Sequence, residues 1–599
     1  MTESSYVIKE LADALAVYAK QVFGLMGNGN AHLIDELIKR DCVYTAMRHE
    51  AGTVAAADAF TRVSGELAIA TTTYGAGFTN SLTALAEAVK ARVPMIVVAG
   101  DEPVGSPRAI DVDQEMLTVA LGTRNYRISE GNVTRTVKKA VRFALQVRKP
   151  VVIGIPYDLI KGAKNSPLAE IEDGTLRDDF KLDDPNLMAS LTQAVMGVEG
   201  VEKPETVPLN TQTISLKVPA VSSVQVEEAI EVLRSASRPL ILAGRGAWLA
   251  GAEEIITETA HALGAVTAST ALARGIFQNP EYDLGITGGF GAEVAMEIVE
   301  QADVVLVVGA SLNQFTMRFG DLFGEGAKIV RVDVDAVSPP STNLPTKHTL
   351  VQGDAKEALQ LILAALRDEK HAPSSWRDEV ALRIASGETS NRETGVKENP
   401  SGICADGLLD PRQVAIRIAE LLPEDIHITQ DGGHFIGWAN MFWPVKSPER
   451  LIMVGTAYQT IGLGFPTVAG VAQAVPESTI VLSTGDGGGL MALADLESAV
   501  RTAKSCIIVV WNDAAYGAEV HLYGVMGLNE DPMHIPAVDF AQVAKSFGAD
   551  SVNVRTMADL DAITEWKDRG SRGTLVLDCR ISTSVVAPYQ EEVQRANGL

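Results

Sequence analysis

The sequence predicts an α/β protein made of three doubly wound domains, each with a parallel sheet covered by helices. Short runs of apolar and β-branched residues recur along the chain and alternate with stretches whose apolar residues have helical spacing. The chain has 599 residues, of which 46% are hydrophobic, so it can form three cores of ordinary domain size. Two polar stretches interrupt the alternation and divide it into three parts.

The first domain is predicted to span residues 1–161. Residues 162–221 lose the alternating pattern and are rich in acidic residues and proline, so we expect a linker there with one helix near residues 187–198. The clearest buried strands of the first domain are predicted at residues 68–73, 94–100 and 150–156.

The alternation resumes in a middle domain at residues 222–370 and in a third domain at residues 409–599. A second polar linker, residues 371–408, separates them. The first and third domains have similar patterns. The clearest strands of these two later domains are predicted at residues 239–244, 304–309, 329–334, 426–429, 479–484 and 506–511.

The composition argues against several classes of function. A formal net charge of −25 disfavours a nucleic-acid partner or an anionic membrane surface. The four cysteines have no CxxC spacing, so neither a zinc site nor a disulfide framework is expected. The amino terminus lacks a signal-peptide pattern, and no run of 18 apolar residues occurs, so the sequence predicts a cytoplasmic protein.

Two carboxylates follow successive predicted strands of the third domain. Asp486 lies between Gly485 and Gly487 at the end of one apolar run, and Asp513 follows the next apolar run. Ligands of parallel sheets bind beyond the carboxyl ends of the strands, so both carboxylates can reach one ligand. Mg²⁺ prefers oxygen ligands, and glycine lets the backbone approach a phosphate closely. The pattern therefore predicts a magnesium and diphosphate site.

This motif resembles that of the thiamine-diphosphate-dependent enzymes of the acetohydroxyacid (acetolactate) synthase, pyruvate oxidase and 2-oxo acid decarboxylase type. In that family Gly-Asp-Gly is followed by a helix and then Asn-Asn. The resemblance spans nearly the whole chain, and it implies a pyrimidine-binding first domain and a diphosphate-binding third domain. It implies that Mg²⁺ is held by Asp486, Asp513 and the backbone carbonyl of Ala515, and that the cofactor contacts Gly485, Gly487 and Asn512.

The family has Asn where this chain has Asp513. A carboxylate there keeps an oxygen ligand for the metal but adds negative charge beside an anionic diphosphate. We therefore expect cofactor binding to depend more strongly on the metal.

Glu50 stands at the start of an Ala-rich predicted helix, where the family has a catalytic Glu. The resemblance implies that Glu50 shares a proton with a ring nitrogen of the aminopyrimidine and so favours loss of the thiazolium C2 proton. Gly75 and Asn80 belong to a Gly-Ala-Gly-Phe-Thr-Asn turn, which resembles the family's Gly-Pro-Gly-x-x-Asn turn around the pyrimidine. An ordinary strand-to-helix turn is the alternative interpretation.

Two other residues of the first domain are candidate catalytic residues. Asn28 occupies the position at which decarboxylating relatives carry an acidic or hydroxyl residue. We expect its amide to hydrogen-bond a substrate carbonyl rather than to transfer a proton. Gln114 matches a family Gln that points into the active site, although a polar surface stretch would give the same pattern.

In the third domain, Gly433 and His434 follow a strand at a position where relatives bind diphosphate oxygens. His434 is expected to donate to a phosphate, and a loop histidine without a role is the alternative. Ile461 takes the position of the large apolar residue that bends the two cofactor rings into a V shape in the family. Ala518 and Leu522 replace a Met and a Trp of acetohydroxyacid synthases, so a different acceptor pocket is expected.

The resemblance implies an acetolactate-synthase-like lyase or carboligase that acts on a 2-oxo acid or a related α-dicarbonyl compound. Three alternatives remain open: a cyclic 1,2-dione hydrolase or lyase, a flavin-dependent 2-oxo acid oxidase, and a non-catalytic cofactor-binding subunit. FAD stays an open cofactor, because the glycine turns of the middle domain are too weak a pattern to support it. The expected assembly is a homodimer or a dimer of dimers with active sites at the subunit interface.

Overall fold

A computed structural model of the chain describes residues 5–160, 218–368 and 372–599. This part contains three six-stranded sheets in which the paired strands are parallel. The predicted class of three doubly wound α/β domains is therefore confirmed. The strands are β1 Gln21–Gly24, β2 Val43–Ala46, β3 Ala68–Thr72, β4 Ile96–Asp101, β5 Asn125–Arg127, β6 Val151–Pro156, β7 Pro239–Ala243, β8 Val266–Ser269, β9 Asp283–Ile286, β10 Val304–Val308, β11 Lys328–Asp333, β12 Lys347–Gln352, β13 Ile426–Gln430, β14 Leu451–Met453, β15 Thr479–Gly485, β16 Ser505–Asn512, β17 Asp550–Val554 and β18 Gly573–Arg580.

Helices connect most of these strands, as parallel pairing requires. The α-helices of the described residues are α1 Tyr6–Ala16, α2 Ala31–Ile38, α3 Glu50–Ser64, α4 Ala76–Asn80, α5 Leu82–Ala91, α6 Gln114–Ala120, α7 Val133–Val147, α8 Ser223–Arg234, α9 Arg245–Leu249, α10 Glu253–Leu263, α11 Glu293–Glu300, α12 Ala355–Asp368, α13 Trp376–Ala385, α14 Asn391–Glu398, α15 Pro411–Leu421, α16 Ile436–Phe442, α17 Gly464–Ala474, α18 Asp486–Met491, α19 Leu493–Thr502, α20 Gly517–Glu519, α21 Phe540–Ser546, α22 Ala562–Asp568 and α23 Pro588–Ala596.

The first and third sheets have the same topology. Their strand orders are β2-β1-β3-β4-β6-β5 and β14-β13-β15-β16-β18-β17, which are identical when each sheet is counted from its own first strand. The middle sheet has the order β12-β11-β10-β7-β8-β9, which is the 3-2-1-4-5-6 order of nucleotide-binding doubly wound sheets. The similar sequence patterns of the first and third domains thus reflect one topology used twice.

The chain divides into two compact units. The first unit consists of residues 1–46, 67–82 and 94–216, as far as these are described, and it contains the first sheet. Its inner strands β3, β4 and β6 are buried on both faces, as expected for parallel strands covered by helices. Helix α7, for example, buries Val137 and Val141 in the core of this unit.

The second unit consists of residues 47–66, 83–93 and 217–599 and contains the middle and third sheets together with α3 and most of α5. Helix α3 packs closely on α17, since a Cβ atom on Gly470 would lie 2.1 Å from the carbonyl oxygen of Ala56. Arg62 of α3 forms a buried ion pair with Asp58 and lies 3.2 Å from Glu87 of α5. These contacts fix the position of α3 and hence of Glu50, its first residue.

The segment predicted as a second linker is more structured than expected. Within the described residues 372–408 it contains α13 and α14, which were missed because they bury few side chains, among them Trp376 and Val380. The helix predicted near residues 187–198 lies outside the described residues. Among the described residues, the helices are all too short or too polar to cross a bilayer. The four cysteines are Cys42, Cys404, Cys506 and Cys579, and all are unpaired thiols.

Candidate functional site

The carboxylates of Asp486 and Asp513 lie together at the carboxyl edge of the third sheet. They follow β15 and β16, which are neighbouring strands. Asp486 is the first residue of α18 and is 3% exposed. One of its oxygens accepts a hydrogen bond from the Gly487 N–H (2.9 Å), and the other accepts one from the Ala514 N–H (2.8 Å). The Ala515 N–H donates to Asp513 over 3.2 Å, so backbone groups orient both carboxylates.

The surroundings of both carboxylates favour the binding of a cation. Burial, together with the nearby charge of Asp513, raises the pKa of Asp486 to about 7. Burial also raises the pKa of Asp513. Arg580 acts against this rise at Asp513, and a divalent cation would compensate the negative charge of the pair more fully. Within the described residues, no third His, Cys, Asp or Glu side chain completes a metal cluster here.

The remaining ligands of a magnesium ion would therefore be backbone, phosphate and water oxygens, as is usual for this metal. Ala515 is fixed for such a role because its neighbours are tied to the segment at residues 533–535. The Tyr516 N–H donates to the Met533 carbonyl (2.8 Å), and the Ile535 N–H donates to the Ala514 carbonyl (2.9 Å). The donor set at this edge of the sheet fits a magnesium ion bound to a diphosphate.

Replacing Asp513 with Asn is expected to weaken the dependence of cofactor binding on metal. Like charges at this range cost about 1–3 kcal/mol in a partly buried site, so without Mg²⁺ the variant should bind thiamine diphosphate about tenfold more tightly than the native protein. With Mg²⁺ the two affinities should differ little. Titration calorimetry in EDTA and in Mg²⁺ measures both values. An unchanged ratio of the two affinities contradicts the charge argument.

The same substitution should change the pH dependence of stability. A carboxyl group whose folded pKa is raised, as for Asp486 and Asp513, contributes most to stability below its unfolded pKa of about 4. This contribution is lost as the pH rises toward the folded pKa, which is about 7 for Asp486. The ligand-free Asp513→Asn protein should therefore be more stable than the native protein at pH 8 and differ little at pH 4. The exposed Asp568, replaced by Asn, is the matched control for a lost surface carboxylate.

Asn512 does not direct its side chain to a ligand. Its amide nitrogen donates to the Val538 carbonyl (2.9 Å) and to Asp578 (2.7 Å), and its oxygen accepts a hydrogen bond from Arg580. The residue is fully buried. Its role is to hold the end of β16, and thereby Asp513, in place.

Three predicted cofactor-binding glycines form a cradle that side chains would fill. A Cβ atom on Gly485 or on Gly433 would lie 2.6 Å from the ring of Phe435. A Cβ atom on Gly487 would lie 2.8 Å from the ring of Tyr516. Gly433 also has a φ of +140°, which favours glycine. Only glycine therefore fits against these two aromatic rings at the three positions beside the carboxylates.

Asp431 connects this cradle to the segment that carries Ile461. Its buried carboxylate accepts hydrogen bonds from the N–H groups of Gly432 (2.8 Å) and Gly462 (2.9 Å). Ile461 is half-buried, and its Cγ2 atom lies 3.0 Å from where a Cβ atom on Gly432 would be. The predicted wedge residue thus stands directly beside the glycine cradle.

His434 is buried and its environment differs from the one we expected. Its Nε2 atom accepts a hydrogen bond from the Ala587 N–H (2.9 Å), so the ring proton is on Nδ1. Burial, with a smaller contribution from His521, lowers the pKa of His434 to about 3. The two imidazole rings are 4.5 Å apart. A neutral His434 could donate only through Nδ1, so it cannot offer a positive charge to a phosphate.

Glu50 begins α3 and is half-buried. The preceding His49 caps the helix, because its Nδ1 atom accepts a hydrogen bond from the Ala51 N–H (3.2 Å). The Thr53 hydroxyl donates to the Glu50 carbonyl (2.7 Å). His49 thus has a structural role, because it fixes the backbone from which the Glu50 side chain extends.

The first unit carries the other predicted residues. Gly75 precedes α4 with a φ of +58°, and a Cβ atom there would lie 2.4 Å from the Ile110 carbonyl oxygen. Asn80 is exposed at the end of α4. Gln114 is 2% exposed and donates to the Gly100 carbonyl (2.6 Å), while its Oε1 atom is buried without a hydrogen-bond partner. Gln114 is therefore not part of a polar surface stretch.

Asn28 belongs to a cluster that the sequence did not reveal. Its amide nitrogen lies 3.0 Å from the Tyr74 hydroxyl and 3.3 Å from the Tyr157 hydroxyl. Arg108 stacks on both rings, with its Cζ atom 4.1 Å from each centroid. We call Asn28, Tyr74, Arg108 and Tyr157 the tyrosine cluster. These residues are far apart in the sequence and share no periodicity, so no local signal could have joined them.

Comparison with protein families finds three matches in the order expected from the fold. Residues 2–121 match the family described as "Thiamine pyrophosphate enzyme, N-terminal TPP binding domain". Residues 226–362 match the central domain of the same enzymes, and residues 431–579 match their C-terminal TPP binding domain. Thiamine pyrophosphate is another name for thiamine diphosphate. The last match contains both carboxylates and the glycine cradle.

Curated relatives are similar over most of their length. The chain is 23% identical over 583 residues to the acetolactate synthase isozyme 3 large subunit of Escherichia coli, covering 94% of this chain and 91% of that protein. It is 27% identical over 551 residues to a probable acetolactate synthase large subunit of Methanocaldococcus jannaschii, covering 88% and 84%. Among solved structures, a thiamine diphosphate-dependent 4-hydroxybenzoylformate decarboxylase of Rhodococcus jostii RHA1 has the same fold, with a TM-score of 0.70, 19% identity and coverage of 96% and 99%.

Proposed function

Because the chain belongs to the thiamine-diphosphate-dependent enzyme family, we propose that it is an acetolactate-synthase-like enzyme that cleaves and forms C–C bonds. Its proposed substrate is a 2-oxo acid or a related α-dicarbonyl compound, and its proposed metal is Mg²⁺. The observation that carries the metal proposal is the pairing of the buried Asp486 with the half-buried Asp513 beside the glycine cradle.

The residues of the third domain fit the diphosphate end of the cofactor. Asp486, Asp513 and the Ala515 carbonyl would hold Mg²⁺, and the backbone at Gly433, Gly485 and Gly487 would face the phosphates. When bound, thiamine diphosphate supplies a nucleophilic carbon that adds to a substrate carbonyl. Glu50 would hold a proton at a ring nitrogen of the aminopyrimidine.

The chain lacks the acceptor-pocket residues expected of acetohydroxyacid synthases. Ala518 lies in α20, and Leu522 lies in the π-helical turn Val520–Gly524 that follows it. Both are half-buried and smaller than the Met and Trp that the resemblance leads one to expect there. π-helical turns are frequent at functional sites. We infer that the acceptor of this enzyme is larger than, or shaped differently from, that of the synthases.

A flavin is not part of the proposed function. In the 3-2-1-4-5-6 sheet order, a dinucleotide binds at the switch point between β7 and β10. Here the loops that follow these two strands contact each other directly, because the Gly246 N–H donates to the Gly309 carbonyl (2.8 Å). A Cβ atom on Gly244 would lie 2.4 Å from Ala310. The two loops therefore touch each other at the switch point, and nothing in their sequence pattern favours a flavin.

We propose a homodimer or a dimer of dimers as the active assembly, because family members take the pyrimidine-side and diphosphate-side residues of one site from different subunits. Analytical ultracentrifugation at assay concentration tests this. A protein that is fully active as a monomer contradicts it.

Replacing Ile461 with Ala is expected to reduce activity much more than cofactor affinity. The substitution removes the side chain that would hold the two cofactor rings in the reactive geometry, and misplaced reacting groups can cost about 100-fold in rate. We expect kcat to fall about 100-fold while thiamine diphosphate affinity changes less than about threefold. Steady-state kinetics and calorimetry measure the two values. Equal losses of kcat and of cofactor affinity would show that Ile461 only contributes to packing. The control is Ile38→Ala, at an exposed site.

Cofactor binding itself tests the proposed function. We expect the purified protein to bind thiamine diphosphate tightly in Mg²⁺ and weakly in EDTA, as measured by calorimetry. Absence of binding under both conditions would reject the proposed function, and equal binding under both would reject the metal site.

A further inference from the structure

We propose that the hydroxyl groups of Tyr74 and Tyr157 form a receptor for the carboxylate of the substrate, and that this receptor makes the enzyme prefer 2-oxo acids over neutral diones. The inference rests on the proposed function and deepens it. The residues concerned all lie in the first unit.

The hydrogen bonds of Asn28 orient the two tyrosine hydroxyls. The amide nitrogen of Asn28 has two hydrogens, and it lies within hydrogen-bond distance of the Tyr74 hydroxyl (3.0 Å) and the Tyr157 hydroxyl (3.3 Å). Each hydroxyl oxygen accepts one of these hydrogens, so its own proton remains available for a ligand. In this arrangement the tyrosines take both amide hydrogens of Asn28, which the sequence led us to expect on a substrate carbonyl. It brings two O–H donors to one place.

Arg108 makes these two donors stronger. Its guanidinium lies 4.1 Å from the centroid of each tyrosine ring, and the rings are nearly perpendicular, with centroids 5.6 Å apart. A cation over the face of an aromatic ring is attracted by its electrons and draws electron density from it. The phenol protons then become better donors to an anion.

Asp111 holds Arg108 in place against the two rings. Its Nε atom donates to Asp111 (2.9 Å), its Nη2 atom donates to the other oxygen of that carboxylate (2.7 Å), and its backbone N–H donates to Asp111 as well (2.7 Å). Paired, charge-assisted bonds of this kind fix a guanidinium in one orientation. The guanidinium is thus held where it contacts both tyrosine rings.

The charge of the site agrees with an anionic ligand. Two hydroxyl donors held beside one amide nitrogen can each donate to one oxygen of a carboxylate, whereas a neutral dione offers only weaker carbonyl acceptors. Position 28 is neutral in this chain, so it does not repel a carboxylate as an acidic residue would. Asn28 is exposed and both tyrosines are half-buried, so a small molecule can reach the hydroxyls.

A matched pair of substrates isolates the carboxylate. Pyruvate and butane-2,3-dione differ only in a carboxylate and an acetyl group on the same carbonyl carbon. For Tyr74→Phe and Tyr157→Phe in the holoenzyme, we expect KM for pyruvate to rise about tenfold, because a hydrogen bond to a charged group is lost. KM for butane-2,3-dione should change less than twofold. Tyr126→Phe, at a tyrosine that packs on Phe143, is the matched control and should leave both values unchanged.

A binding measurement makes the test independent of turnover. Oxamate has the carboxylate and shape of pyruvate but does not react, and its affinity for the holoenzyme and for the cofactor-free protein is measured by calorimetry. We expect about tenfold weaker binding in each Tyr→Phe variant. Asn28→Asp should weaken oxamate at least as much, because its carboxylate would accept both hydroxyl protons and add a negative charge.

Three results would overturn the inference: equal losses for pyruvate and butane-2,3-dione, unchanged oxamate binding in the folded Tyr→Phe variants, or no oxamate binding to the native protein. Far-ultraviolet circular dichroism and the melting temperature establish that the variants are folded. The proposed function fails separately, if thiamine diphosphate does not bind in Mg²⁺, and oxamate binding can still be measured in that case.

Discussion

Replacing Glu50 with Gln is expected to reduce kcat by about 10²–10⁴-fold, the usual contribution of a positioned proton-transfer group. The amide keeps the size of the side chain and one hydrogen-bonding oxygen, but it cannot share a proton with the aminopyrimidine nitrogen. Because α3 is fixed by its packing on α17 and by the buried Arg62 ion pair, the substitution should leave the fold intact. Steady-state kinetics with saturating cofactor measure the loss.

A second measurement separates proton transfer from general damage to the site. Hydrogen–deuterium exchange at the C2 atom of bound cofactor, followed by proton NMR, should slow in Glu50→Gln by a similar factor, while thiamine diphosphate affinity changes less than about tenfold. The exposed Glu66 lies just beyond the other end of α3, and Glu66→Gln is the matched control. An exchange rate equal to that of the native protein would show that Glu50 is not the proton partner.

Replacing Asp486 with Asn is expected to abolish the metal dependence of cofactor binding. The carboxylate would bind Mg²⁺, and it also accepts hydrogen bonds from the N–H groups of Gly487 and Ala514. An amide can satisfy only one of these and carries no charge for the cation. We expect thiamine diphosphate affinity in Mg²⁺ to fall about 100-fold, because about 2.7 kcal/mol is a modest value for a charged ligand in a buried site. Activity should fall at least as far.

Asp568→Asn, at an exposed carboxylate, serves as control for this prediction too. Native-like affinity of the Asp486→Asn protein in Mg²⁺ would show that the metal site lies elsewhere. A loss of affinity that is the same in EDTA and in Mg²⁺ would show that Asp486 supports the fold of the loop and not the metal.

The sequence predicted the sheets well because buried parallel strands leave a strong local signal. The run at residues 479–484 became β15, and the run at residues 506–511 became β16, each within one residue at its ends. The pairing of Asp486 with Asp513 followed from the same signal, since neighbouring parallel strands end at one edge. Their spacing in the sequence was therefore enough to locate the candidate metal site.

Other parts of the site could not be predicted because they depend on tertiary contacts. The neutral state of His434 results from its burial and from the Ala587 N–H, which lies more than 150 residues away. Asn512 follows the family motif, but its amide is used by Val538 and Asp578. The stacking of Arg108 on two tyrosines likewise joins separate loops. Motifs thus located the site, whereas packing determined which of its atoms are available to a ligand.

Product analysis by NMR shows whether this site performs C–C bond chemistry. The protein is loaded with thiamine diphosphate and Mg²⁺ and incubated with pyruvate without an electron acceptor. We predict pyruvate consumption with release of CO₂ and formation of a carboligation product, either acetolactate or acetoin. Protein that holds cofactor and metal, yet consumes neither pyruvate nor longer 2-oxo acids nor diones, would contradict the assignment of C–C bond chemistry to this site.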